Sequence, residues 1–167
     1  NSGWVEDGGD RYYFDPATGL PAKGKTQIEG EWYYFDEETG VESRGWKTLS
    51  DGYWYYFELF TGKMEHSGWF EYKGQKYYAN ADGHHNKGVA TVDGKAYFFS
   101  PDFAYRMTGK FTYDGATYYA NEDGELNSGW VEDGGDRYYF DPATFILIKG
   151  KAEIEGEWYY FDEETGV

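Results

Sequence analysis

The chain has 167 residues, of which 23% are aromatic (19 Tyr, 12 Phe and 7 Trp), so its core must be built of stacked rings whose hydroxyl and indole N–H groups need partners. Fifteen basic against 31 acidic residues leave a formal net charge of −16, which opposes binding to nucleic acid or to an anionic membrane surface while favouring solubility and attraction of cationic groups. There is no Cys to form disulfides or thiolate metal sites, and no apolar run approaches the ~20 residues of a membrane span, so no membrane insertion is expected.

In chain order the aromatic runs are Tyr12-Tyr13-Phe14, Trp32-Tyr33-Tyr34-Phe35, Trp54-Tyr55-Tyr56-Phe57, Tyr77-Tyr78-Ala79, Tyr97-Phe98-Phe99, Tyr118-Tyr119-Ala120, Tyr138-Tyr139-Phe140 and Trp158-Tyr159-Tyr160-Phe161. Each reads as a strand. Alternation sends Trp32 and Tyr34 to one face and Tyr33 and Phe35 to the other, so both faces need cover. The glycines closing the copies are Gly3, Gly24, Gly45, Gly68, Gly88, Gly109, Gly129 and Gly150, at steps of 20 to 23 residues. That is the spacing of a tandem repeat with no room for a linker.

Inside each copy a short first strand meets a turn such as Glu29-Gly30, Asp51-Gly52, Lys73-Gly74, Asp93-Gly94 or Asp114-Gly115, where glycine accepts the positive φ of a tight hairpin. The first and seventh copies, with Asp7-Gly8-Gly9-Asp10 and Asp133-Gly134-Gly135-Asp136, are expected to insert a residue and to carry a longer loop. Polar segments ending in glycine, as in Asp36-Glu37-Glu38-Thr39-Gly40, swing the chain to the next hairpin. No stretch sustains a 3.6-residue period, so essentially no helix is expected.

A lone hairpin is marginal in water and gains stability by stacking on its neighbours. The expected fold is therefore all-β, a β-hairpin solenoid of about eight stacked ~21-residue repeats forming one domain over 1–167. Its hairpins are placed at about 4–24, 25–45, 46–68, 69–88, 89–109, 110–129, 130–150 and 151–167, with the two ends weakest. Starting and stopping in mid-repeat points to a piece of a longer protein.

Residues 127–167 nearly duplicate 1–41, but Gly19-Leu20-Pro21-Ala22 becomes Phe145-Ile146-Leu147-Ile148. Phe145 is strained there if the position needs positive φ. Four apolar residues in a loop either pack on the end of the solenoid, the preferred reading, or form a self-association patch. Catalysis has little support, because the carboxylates fall in turns at repeat spacing rather than as acid/base pairs. His66, His84 and His85 lack metal-ligand spacing and read as surface-loop residues. Asn80-Ala81-Asp82-Gly83 is faintly like a calcium loop, but Tyr78 stands at the first ligand position, so neither metal nor cofactor is expected.

Taken together, Gly45-Trp46, Asp51-Gly52, Trp54-Tyr55-Tyr56-Phe57, Gly62-Lys63-Met64 and Gly68-Trp69 resemble the cell wall-binding repeat family. That family includes choline-binding modules, glucan-binding repeats of glucansucrases and the repetitive receptor-binding domains of clostridial toxins. The resemblance covers the full chain. It implies a secreted, non-catalytic solenoid at the bacterial cell wall or surface, holding ligands in grooves between consecutive hairpins. For the choline-binding branch it implies an aromatic cage that holds quaternary ammonium by cation–π attraction. Carried over residue by residue, the cage set is Trp32, Tyr34, Trp46, Trp54, Tyr56, Met64, Trp69 and Tyr78, enough for one or two sites.

Elsewhere the pattern breaks. Lys25, Val89, Lys110 and Lys151 replace the Trp after the anchor glycine, and Arg11, Lys76, Ala96, Thr117 and Arg137 replace the Trp of the second strand. A Lys or Arg there would repel a trimethylammonium head, so a neutral sugar or no ligand suits those junctions better. The implied partner is a wall polymer bearing choline, or a glycan, with weak sites in series gaining avidity. The competing reading is a structural stalk or a spacer that self-associates through Phe145–Ile148, with no small-molecule ligand.

Overall fold

The computed structural model describes residues 2–167. The first four hairpins are built from β1 (Gly3–Asp7) and β2 (Asp10–Phe14), β3 (Gly24–Ile28) and β4 (Glu31–Phe35) with the short β5 (Glu42–Ser43), β6 (Gly45–Thr48) and β7 (Trp54–Phe57), and β8 (Gly68–Tyr72) and β9 (Gln75–Ala79). The next four pair β10 (Gly88–Val92) with β11 (Lys95–Phe99), β12 (Gly109–Tyr113) with β13 (Ala116–Ala120), β14 (Gly129–Asp133) with β15 (Asp136–Phe140), and β16 (Gly150–Ile154) with β17 (Glu157–Phe161). The described residues contain no helix, and hence none long and apolar enough to cross a membrane. They divide into two compact units, one reaching to Asn86 and the other spanning Lys87–Val167.

Turn chemistry sets each hairpin. Glu29 and Gly30, between the paired Ile28 and Glu31, have φ of 52° and 90°, the double positive φ of a type I′ turn, whose twist matches that of the flanking strands. The same two-residue turn closes β1–β2, where Asp7 pairs with Asp10, and β14–β15, where Asp133 pairs with Asp136. The longer loop expected in the first and seventh copies is therefore not there. It lies in the third copy, where Thr48 pairs with Trp54 and Leu49–Tyr53 bridge them. Gly45 and Phe57 are twelve positions apart, against eleven for Gly24 and Phe35, so the extra residue belongs to that copy. It is accommodated by hydrogen bonds from Leu49 N–H to Tyr53 C=O and from Gly52 N–H to Leu49 C=O.

After each second strand, one side chain organises the connecting turn. Asp36 Oδ1 accepts the N–H groups of Glu38 (3.0 Å) and Thr39 (2.8 Å) and the Thr39 hydroxyl (2.9 Å). Asp15, Asp141 and Asp162 repeat the pattern, and these bonds, to the threonines first, hold all four carboxyls below their ordinary range. The chain then doubles back and stitches itself to the hairpin before. Met64 bridges to Phe57 and donates its N–H to Trp32 C=O at 2.7 Å; His85 does so to Trp54, Leu126 to Ala96 and Leu147 to Thr117.

Those connecting residues point inward. In the first unit, Ile28, Tyr33 and Phe35 are buried with Trp4 and Tyr13, while Tyr55, Phe57 and Met64 are buried with Trp32, Tyr34 and Leu49. Glu42, only 8% exposed, lies between Arg44 Nη2, 2.9 Å from Oε2, and Arg11 Nη1, 3.3 Å from Oε1. In the second unit the core is Phe98, Tyr118, Ala120 and Leu126, and Phe145 and Ile146 pack against it. Phe145 has a φ of 62°. A left-handed non-glycine residue costs about 1–2 kcal/mol, which burial of an aromatic ring, about 1.5–3 kcal/mol when complete, offsets.

Candidate ligand-binding site

Hairpin three carries rings on both faces, and the pleat decides where each goes. Trp46 pairs with Tyr56 across β6–β7, and Trp54 shares the face of Tyr56 two residues away. Their ring centroids lie 5.0 Å (Trp46–Tyr56) and 6.0 Å (Trp46–Trp54) apart. Hairpin four adds Phe70, stacked on Tyr56 at 5.4 Å, and Tyr77, 5.0 Å from Trp46. His85 closes the cluster, its ring edge-on to Trp46 at 4.7 Å. Tyr55 and Phe57 point the other way and join Trp32, Tyr34 and Met64.

The eight carried-over residues thus fall into three groups. Trp46, Trp54 and Tyr56 form one cluster with rings from hairpin four. Trp32, Tyr34 and Met64 form a second around Tyr55, with Met64 at 3% exposure as its floor. Trp69 and Tyr78 meet edge-on at 5.2 Å across β8–β9, on the opposite face of β8 from Phe70. They therefore do not join the Trp46 cluster.

Burial governs the ionisation of these groups. It pushes the Tyr56 hydroxyl up to about 12. It also raises Tyr55, whose hydroxyl bonds Asp51 Oδ2 at 2.5 Å; that bond in turn lowers the Asp51 carboxyl. Glu65 is raised by burial as well, beside a cleft of about 320 Å³ lined by Glu31, Glu58, Lys63, Met64, Glu65 and His66.

His85 is not the surface-loop residue expected from its neighbours in sequence. It is 5% exposed, neither ring nitrogen has a hydrogen-bond partner among the described residues, and burial first, then the charge of His84, pushes its pKa down to about 4. His84 lies nearer the surface, stacked on Tyr53 at 3.8 Å. The signal for His85 was positional: it follows Ala79 as Met64 follows Phe57 and takes the same bridging place. Phe70, Tyr77 and Tyr55 join these clusters without having been among the carried-over residues, because a run aromatic on both faces does not say which hairpin each face meets.

Lysines and arginines at the broken positions lie over aromatic rings. Arg11 lies over Trp4 at 4.1 Å, Arg137 over Trp130 at 3.8 Å, Lys110 over Tyr138 at 4.5 Å and Lys151 over Trp158 at 4.4 Å. Lys25 lies over both Trp32 (5.2 Å) and Tyr55 (4.7 Å). These rings hold a cation supplied by the chain itself. Among the described residues no lysine or arginine covers Trp46, and no group of acidic, His or Cys side chains is arranged to hold a metal ion.

Comparison with known proteins agrees with this architecture. The family model for a choline-binding repeat matches residues 2–42 and 127–167, and that for a cell wall binding repeat matches 45–64, 67–84 and 111–126. Among solved structures, CbpJ of Streptococcus pneumoniae TIGR4 is 25% identical with a TM-score of 0.77, covering 98% of this chain and 56% of its own. Choline binding protein F of Streptococcus pneumoniae, solved in the presence of a peptidoglycan analogue, is 26% identical with a TM-score of 0.77 over 93% of this chain and 54% of its own. The modular autolysin LytC of the same organism, at 23% identity and a TM-score of 0.57 over 95% of this chain and 37% of its own, shares the fold. The chain thus spans just over half the length of the first two structures. None of the curated proteins matches it. With its hairpins, connecting turns and aromatic junctions all repeating in this pattern, the chain belongs to the cell wall-binding repeat family, as a tandem array of choline-binding-type repeats.

Proposed function

We propose that the chain is a non-catalytic attachment module, secreted with its parent protein, that holds it to choline-bearing polymer of a bacterial cell wall. The carrying observation is the cluster of Trp46, Trp54 and Tyr56 with Phe70 and Tyr77 of the next hairpin. Its ring faces suit a quaternary ammonium, at about 0.5–2 kcal/mol per ring. The acidic surface favours such a ligand as well, and choline binding protein F, solved with a peptidoglycan analogue, has the same fold. A repetitive wall polymer would engage further weak sites at high effective concentration.

Titration with choline is expected to shift tryptophan fluorescence, and Trp46→Ala is expected to remove the shift while the chain keeps a cooperative urea unfolding transition. Retention on a choline resin but not on dextran separates this reading from glucan binding. If neither ligand perturbs the spectrum and neither resin retains the chain, the reading is wrong and a spacer role takes its place.

A further inference from the structure

Hairpins two and three build a second aromatic site, and its occupant is already present. Lys25 projects from β3, and its ammonium lies 5.2 Å from the Trp32 centroid and 4.7 Å from that of Tyr55, with Met64 and Leu49 in the same cluster. The ammonium also donates a hydrogen bond to Asp82 C=O, at 3.1 Å, in the connecting turn of hairpin four. One side chain therefore ties three consecutive hairpins together through a charge on two ring faces. The Tyr55 hydroxyl is held by Asp51, whose carboxylate adds negative potential near the cation.

We propose that Lys25 is a tethered occupant of the Trp32–Tyr55 site, closing it to free quaternary ammonium ligands. The inference rests on the cationic ligand class proposed above and names one aromatic site that does not take it. Tethering supplies the reason. An ammonium tethered by its own side chain competes at an effective concentration of roughly millimolar or more, so a weak free ligand of the same class must exceed that concentration to displace it. A cation placed on ring faces also satisfies the attraction that would otherwise recruit a guest. Arg11 on Trp4 repeats the device one hairpin earlier.

The test compares wild type with Lys25→Met, which keeps an unbranched side chain for packing and removes the charge. Calorimetric titration with choline is expected to give one more bound equivalent in Lys25→Met than in wild type. Adding Trp32→Ala should abolish that equivalent, and Lys25→Arg should stay at the wild-type number. Equal stoichiometry in wild type and Lys25→Met, or an extra equivalent that survives Trp32→Ala, overturns the proposal. Wild type binding nothing while Lys25→Met binds one equivalent leaves it standing and sinks the Trp46 reading instead.

A measurement on the unmodified chain covers the case in which the variant does not fold. The Lys25 ε-methylene protons should be ring-current shifted, and saturating choline should move Trp46 resonances while leaving them in place. Lys25 signals at random-coil positions, or displaced by choline, would overturn the assignment.

Discussion

His85 makes the stability of the first unit depend on pH in a calculable way. Its imidazole is 5% exposed, has no hydrogen-bond partner among the described residues, and has its pKa lowered by burial from 6.5 to about 4. The unfolded chain therefore takes up this proton first, and protonation favours unfolding. The native state keeps its full margin above pH 6.5, loses it as pH falls, and stops losing it near pH 4, where the folded form also protonates. The total is about 3 kcal/mol, of which about 2 kcal/mol is gone at pH 5.

His85→Met restores the residue type that fills the equivalent place at Met64 and removes the titrating group. Urea unfolding followed by tryptophan fluorescence at pH 7 and pH 5 reads the difference. Relative to its own pH 7 value, wild type should lose about 1 M more in midpoint than the variant. Subtracting the variant cancels the carboxylates with lowered pKa, such as Asp36 and Asp51, which contribute mainly at lower pH. At pH 7 the variant should be at least as stable as wild type, since a buried polar group without partners has been removed. Identical pH profiles for the two proteins would refute the reasoning.

Three further predictions concern the packing. Gly83 has a φ of 83°, and a Cβ there would meet Met64 Cε at 2.6 Å, whereas Gly74 has a φ of 74° with open space around it. Gly83→Ala should cost about 2–3 kcal/mol and Gly74→Ala about 1 kcal/mol, and equal losses in urea unfolding would contradict the close-approach argument. Glu42→Ala leaves Arg11 and Arg44 without their shared carboxylate and should destabilise by about 2–4 kcal/mol, read from the same unfolding curves; a loss below about 1 kcal/mol would show that the pair is solvated. At Phe145, the change to Gly gives up ring packing but releases the left-handed backbone, while the change to Ala gives up the ring alone. Phe145→Ala should therefore be the less stable by about 1 kcal/mol, and the reverse order would place the cost elsewhere.

Most of the repeat architecture was legible in the chain. Asp-Gly and Glu-Gly dipeptides at a 20–23-residue spacing specify tight hairpins because backbone sterics at positive φ are local. Counting from anchor glycine to closing aromatic locates the inserted residue in the third copy, whereas paired glycines in the first and seventh imitate an insertion without adding length. The aromatic cage set was legible only as a list. Trp46 and Trp54 cluster together, but the rings packed against them, Phe70 and Tyr77, come from the next hairpin, and no local rule says which face meets which.

The order of residues by itself determined an all-β tandem of hairpins, since alternation and turn geometry act over a few residues. Tertiary structure alone decided that His85 is buried while His84 stacks near the surface, and that Lys25 rests on two rings rather than in water. The reason is distance along the chain. Lys25 finds Tyr55 and Asp82 by the stacking of three hairpins, and a long flexible side chain takes whatever ring face and carbonyl that stacking presents.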